Sequence, residues 1–257
     1  MDCGGEAVLN VLVAIPVFNE ERYLPNVLKA VRRHANDVLV IDDGSTDRTS
    51  DLLARQRVAT IRHPENRGYG QSLIDAFDYA DRNGFDWVVT IDCDEQHEPA
   101  QIPDFFESLR RDDADIISGS RYLVEHAGDD DAPPDRRRIN HTVCELLSQL
   151  YGLRLTDSFC GFKAHRTSAM RRLSLDEPGY AFPVQLWVQA ARAGLRIREL
   201  PVRRIYRDHS RQFGGTLDDP AARLQHYLEV LVREAAREQA SPSPSSRTTP
   251  CRCLINE

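Results

Sequence analysis

Short β-branched runs alternate with helix-patterned stretches through the first third of this 257-residue chain, and that rhythm limits the folds open to it. Residues 8–17 (VLNVLVAIPV) and 37–43 (DVLVIDD) read as strands, and 21–34 between them places its apolar residues at helical spacing. The unit repeats with a helix over 47–56, a strand over 58–62, a helix over 69–83 and a strand over 86–92. Parallel strands need long crossovers, which the helices supply, so the pattern predicts an α/β fold: a Rossmann-like, mostly parallel sheet flanked by helices.

Beyond Asp94 the spacing predicts a helix over 101–111, a strand over 115–118, helices over 140–151 and 183–193, a strand over 196–202 and a helix over 219–237. The charged stretch 125–138, with its acidic run and Pro133-Pro134, reads as a mobile loop. A Ser-Pro-rich segment after the last helix lacks the residues to pack a core, so a single domain is expected over 1–237 and a disordered tail over 238–257. The net charge of -7 argues against nucleic acid as a partner. No apolar run approaches the roughly 20 residues of a membrane span. The acidic N-terminus is unlike an export signal, so the expectation is a cytoplasmic protein whose membrane contact is peripheral, at the cytoplasmic face. The six cysteines lack zinc-ligand spacing and read as reduced thiols.

Ligands of open parallel sheets bind beyond the carboxyl ends of the strands. Three such ends are chemically loaded here: Pro16-Val17-Phe18-Asn19-Glu20-Glu21, Asp42-Asp43-Gly44-Ser45-Thr46-Asp47 and Asp92-Cys93-Asp94-Glu95-Gln96-His97. Asp92 and Asp94 flank one residue just past a buried strand and Gln96 adds a neutral oxygen, a donor set suited to a hard cation that also binds phosphate. Ser45 or Asp47 can cap the following helix, but a cap needs one short polar residue. The adjacent carboxylates Asp42 and Asp43 therefore point further, to a ribose hydroxyl or a base edge.

The segments VAIPVFNEE (13–21), DDGSTD (42–47), HPENRGYGQSL (63–73), DCDEQH (92–97), GSR (119–121) and GFKAHR (161–166) together resemble the family 2 glycosyltransferases in order and spacing. The D-x-D-x-Q-H form and the G-F-K segment are most similar to the polyprenyl-phosphate (dolichol-phosphate) mannosyl- and glucosyltransferases. The resemblance implies a GT-A fold, Mg2+ or Mn2+ as cofactor, GDP-mannose or UDP-glucose as donor and a polyprenyl phosphate as acceptor. It implies that Pro16, Phe18, Glu20, Ile41 and Asp43 contact the nucleoside, that Asp92 serves ribose and metal, and that Asp94 and Gln96 complete the metal site. Arg121 and Arg138 correspond to positions that hold the acceptor phosphate, and Arg207 and Arg211 to a loop over the donor phosphates.

Inverting transfer to a phosphate requires no general base, because that nucleophile is already ionised; transfer to a hydroxyl does. Asp157 is the carboxylate the sequence offers for that role, in an alternative where a saccharide or other hydroxyl accepts the sugar in cell-envelope polysaccharide synthesis. A non-catalytic nucleotide-sugar-binding protein would be expected to have lost metal ligands, and Asp92, Asp94 and Gln96 are all present.

Overall fold

The computed structural model describes residues 9–206 and 213–240. The chain runs β1 (Val11–Val17), α1 (Leu24–Val31), β2 (Val38–Asp42), α2 (Thr49–Ala54), β3 (Ala59–Arg62), α3 (Tyr69–Arg82) and β4 (Trp87–Thr90). It continues through α4 (Ile102–Leu109), β5 (Ile116–Ser120), α5 (Pro134–Tyr151), β6 (Lys163–Arg166), α6 (Thr167–Met170), α7 (Phe182–Arg192), β7 (Ile197–Pro201) and α8 (Pro220–Ala240). The sheet has seven strands in the order β3-β2-β1-β4-β6-β5-β7. All pairings are parallel except those of β6, which runs antiparallel to both β4 and β5.

The pleat explains why β1 and β2 are apolar almost throughout. Leu12, Ala14, Leu39 and Ile41 face a core shared with α3, α5, α7 and α8, while Val13, Ile15, Val38 and Val40 face a second core closed by α1 and α4. Both faces are covered, so every residue of these strand interiors has apolar neighbours to satisfy.

Two expectations change. The strand β6 (Lys-Ala-His-Arg) carries no β-branched residue, which hid it in the sequence. Its place is secured by the sheet ladders and by specific partners: buried Lys163 donates to the Cys160 carbonyl and lies 5.5 Å from the Trp187 ring centroid, and Arg166 lies 4.5 Å from that of Trp87. The stretch 125–138 is also not one loop. Its last residues form the first turn of α5, where Pro134 suits a helix start, and its first part is tied to 203–206. There Asp129 and Asp130 accept the backbone N–H groups of Arg204 and Tyr206. At the C-terminus α8 extends to Ala240, past the expected boundary at 237, and 241–257 lie outside the described residues. No helix among the described residues is long and apolar enough to cross a membrane.

Candidate active site

The loaded strand ends meet in one cleft of about 780 Å3. Pro16, Phe18 and Glu20 from the end of β1, Asp43 from β2, and Asp92, Asp94 and Gln96 beyond β4 all line it. Their loops are locked by local chemistry. Asn19, in the left-handed region at φ 56°, turns its side chain to accept from the Thr46 and Asp47 backbone N–H groups, so the first two loops brace each other. Glu95, at φ 57°, makes the turn just after the paired acids, between Asp94 and Gln96, and Asp94 accepts the Gln96 N–H at 3.0 Å. Left-handed non-glycine residues at a functional loop are a form of stored strain that packing must hold in place.

Asp92 is held from two sides, by the Tyr69 hydroxyl at 3.1 Å and His97 Nε2 at 3.2 Å. Burial pushes its carboxyl up, but the His97 hydrogen bond and charge, with help from Tyr69 and Lys163, outweigh it and hold the group below the usual carboxylate range. Gly161 passes directly behind it, where a Cβ would collide with both carboxylate oxygens. Tyr69 pays for this contact in its own ionisation: burial, reinforced by the Asp92 charge, keeps its phenol protonated far above the ordinary range.

The two adjacent acids of the second strand end have different tasks. Asp42 is fully buried and accepts from the Ser45 N–H and the Ser50 hydroxyl, the duty of a turn residue. Asp43 faces the cleft, yet both of its oxygens accept backbone N–H groups, from Arg67 and Gly68 at 2.8 Å, and His63 Nδ1 lies 2.6 Å from Oδ1. It therefore shapes the 63–68 loop at the cleft wall. Ile41, expected at the nucleoside, lies within β2 before the strand end: its side chain packs in the core with Leu39 and has no exposure.

The other end of the cleft differs in composition. Arg121, Tyr122, Arg136, Phe159, Tyr180, Tyr206, Phe213, Arg223 and Tyr227 supply cations and rings. Arg136 lies 5.0 Å from the Phe213 ring centroid and 5.9 Å from that of Tyr206, and Arg223 lies 4.4 Å from that of Phe213. Arg223 also pairs with Asp135. Arg138, the expected phosphate residue, is exposed on the opposite side of α5 and is absent from the cleft wall. Helical geometry decides this, because Arg136 lies four residues before buried Asn140 and seven before buried Val143, whereas Arg138 shares a face with exposed His141 and Glu145.

Asp157 also departs from expectation. It is fully buried, and its carboxylate grips Arg121 in a two-pronged pair, Nε to Oδ2 at 2.6 Å and Nη2 to Oδ1 at 2.9 Å. It further accepts the N–H groups of Phe159 and Cys160. Burial alone would raise its carboxyl, but the Arg121 charge and hydrogen bonds win and hold it lowered. A carboxylate so paired and so weakly basic is badly placed to take a proton from an acceptor. Arg207 and Arg211 lie outside the described residues. Cys93, Cys144 and Cys160 are free thiols, and burial pushes Cys144 and Cys160 up to about 12.

Sequence reasoning missed Tyr69, Arg136, Arg223 and the rings around them. Helical periodicity could have separated Arg136 from Arg138, and Tyr69 lies inside a motif already singled out. Nothing local marks Tyr180, Phe213 or Arg223.

A family model described as Glycosyl transferase family 2 matches residues 12–176, well over half the chain. The chain is a family 2 glycosyltransferase. The undecaprenyl-phosphate mannosyltransferase of Micrococcus luteus is 31% identical over 231 residues, covering 85% of this chain and 94% of that protein. The polyprenol monophosphomannose synthase of Mycolicibacterium smegmatis is 30% identical over 203 residues, covering 74% and 76%. Among solved structures, glucosyl-3-phosphoglycerate synthase from Mycobacterium tuberculosis, in complex with Mn2+, UDP and glucosyl-3-phosphoglycerate, superposes with a TM-score of 0.70 at 20% identity, over 90% of this chain and 81% of that one. That likeness establishes the GT-A fold for this glycosyltransferase, as the motifs implied.

Proposed function

We propose that this glycosyltransferase moves a hexose, with inversion, from GDP-mannose or UDP-glucose to a polyprenyl phosphate at a membrane surface. The observation that carries the reading is the division of one cleft: carboxylates and a neutral amide at the strand ends, cations interleaved with aromatic rings opposite them. The second half suits an acceptor that is anionic at one atom and apolar beyond it. The names of the Micrococcus and Mycolicibacterium relatives support a polyprenyl phosphate acceptor and favour mannose as the sugar.

Asp92 and Asp94 bring carboxylate oxygens to the cleft wall and Gln96 brings an amide whose oxygen can join them, a set that fits Mg2+ or Mn2+. Among the described residues no group of three or more His, Cys, Asp or Glu forms a metal cluster, so the diphosphate and water must complete the coordination. The chemistry such a cation supplies is neutralisation of the leaving diphosphate. Tyr69 and His97 fix the Asp92 carboxylate in the orientation that serves the cation and the ribose. Pro16, Phe18, Glu20 and Asp43 border the nucleoside; Phe18 lines the cleft and is 43% exposed. Arg136, backed by Arg121 and Arg223, draws in the acceptor phosphate and lowers the repulsion between two anionic substrates. The phosphate oxygen then attacks the anomeric carbon opposite the leaving group, and no protein base is required. The hydroxyl-acceptor alternative loses its candidate base, because Asp157 is committed to Arg121.

The test is incubation with labelled GDP-mannose or UDP-glucose, with and without undecaprenyl phosphate in detergent, in Mg2+, Mn2+ or excess EDTA. Label should enter the organic phase only with lipid phosphate and a divalent cation. Transfer to a saccharide hydroxyl with none to lipid would overturn the reading.

A further inference from the structure

We propose that Glu199 is a positioning residue that sets Arg121 in the cleft by gripping the backbone of residues 156–157. This rests on the reading of Arg121 as part of the acceptor half. Glu199 lies on β7, opposite Ser118 of β5 in the register. Its Oε1 accepts the N–H groups of Thr156 at 2.9 Å and Asp157 at 3.0 Å, and its Oε2 accepts the Thr156 hydroxyl at 2.9 Å. One carboxylate thus holds two consecutive peptide N–H groups and a side chain of a segment that belongs to no helix or strand.

That segment controls Arg121 from both ends. Asp157, whose N–H Glu199 holds, grips the guanidinium through two atoms and also accepts the Arg121 backbone N–H. Thr156 meets the Ser120 hydroxyl at 2.5 Å, which ties down the end of β5 one residue before Arg121. The guanidinium is left with Nη1 donating to the Tyr206 hydroxyl at 2.9 Å. The chain of contacts therefore runs from Glu199 through Thr156 and Asp157 to Arg121 and Tyr206, the last two in the cleft wall.

The arrangement carries a cost that packing alone does not explain. Burial pushes the Glu199 carboxyl up, and the nearby Asp157 charge adds to this, although the N–H groups of residues 157 and 156 oppose it. Two carboxylates beside a single guanidinium repel each other, and an apolar residue would fill the space without that penalty. What a carboxylate adds here is charge and a second acceptor: Oε1 takes both N–H groups, and Oε2 takes the Thr156 hydroxyl and shares its N–H at 3.0 Å.

Glu199→Gln is the test, since glutamine keeps the shape and one carbonyl acceptor but loses the charge and replaces Oε2, which accepts the Thr156 N–H and hydroxyl, by an NH2. The readout independent of substrate is the 15N-edited signal of the Arg121 side-chain Nε–H, assigned by its loss in Arg121→Lys. Its solvent exchange should accelerate about tenfold, the scale of one lost charged hydrogen bond. The Nε–H of Arg198, which faces the other side of β7 toward Asp113 and Ser108, should be unchanged. In transfer assays the acceptor KM should rise or kcat fall by about tenfold, with the nucleotide-sugar KM and its slow hydrolysis by water within about twofold. In an Arg121→Lys background the same change should add less than about twofold. Unchanged exchange at Arg121, or equal loss on the donor and acceptor sides, would overturn the proposal. Should wild type fail to use polyprenyl phosphate, the functional reading falls while the exchange measurement still decides the role of Glu199. If Glu199→Gln does not fold, Thr156→Val serves: it removes the hydroxyl link and keeps both N–H bonds, and should accelerate Arg121 exchange by about threefold. No acceleration there would equally overturn the proposal.

Discussion

The two halves of the cleft are built by different rules. The half proposed for the nucleotide comes from consecutive residues at the ends of β1, β2 and β4, and its polar groups are steadied largely by loop backbone, Asp43 by the 67–68 N–H groups, Asp94 by that of Gln96 and Asn19 by residues 45–47, with Asp92 held by Tyr69 and His97. The half proposed for the acceptor draws on α5, the 156–162 segment, the turn at Tyr180 and the start of α8, and its charges are steadied by other side chains: Arg121 by Asp157, Arg223 by Asp135. Local bonding makes the first half insensitive to distant change. The second half depends on how helices pack, so substitutions far from the chemistry can reach it.

The sharpest test of that contrast is at the paired acids. Asp94→Ala should lower transfer by about a thousandfold, the scale of losing charge stabilisation at a leaving group, with the melting temperature little changed. Retained turnover, or wild-type turnover undiminished in EDTA, would refute the assignment. Next comes the α5 pair. Arg136→Ala should cost about a hundredfold in kcat/KM for the acceptor, while Arg138→Ala should stay within about twofold, because only the former faces the cleft. A reversed order would restore the phosphate role to Arg138.

Asp157→Asn should act mainly on stability, by about 3 kcal/mol, because it strips the partner from a buried guanidinium. Denaturant melts read this directly, and Arg121→Met added to Asp157→Asn should recover part of the loss. If Asp157 were a base, activity would fall without destabilisation. Phe18→Ala should weaken nucleotide binding by about 1 kcal/mol without altering the melting temperature, as calorimetry can check.

The smallest effect lies away from the cleft, where Arg237 pairs with Asp176. The Arg237 hydrogen bond holds the Asp176 carboxyl lowered, at about 2. A folded value below the unfolded one means that the pair stabilises above about pH 4 and that this contribution disappears as pH falls through 2. Both side chains are substantially exposed, so Arg237→Ala should cost under about 1 kcal/mol at neutral pH, with the difference from wild type vanishing in acid.

Much of the half proposed for the nucleotide was legible because a parallel sheet converts sequence order into position: the loop just beyond a strand's carboxyl end borders the cleft. Ile41 differs from Asp43 in depth along the chain: it lies within β2, paired with Pro16 of β1 and Ile61 of β3, and packs in the core, whereas Asp43 lies beyond the strand. The double-acid motif divides by the pleat, with Asp42 turned to the Ser45 N–H and the Ser50 hydroxyl and Asp43 to the cleft.

The sequence by itself determined the alternation of strands and helices, the family, and the cluster of oxygens at the strand ends, because each depends on spacing within a few residues. Tertiary structure alone decided that β6 enters the sheet antiparallel, that Arg223 and Phe213 join the cleft wall, and that Asp157 neutralises Arg121. Those outcomes turn on which residues distant in the chain become neighbours, and a buried charge takes its role from the partner that packing brings to it.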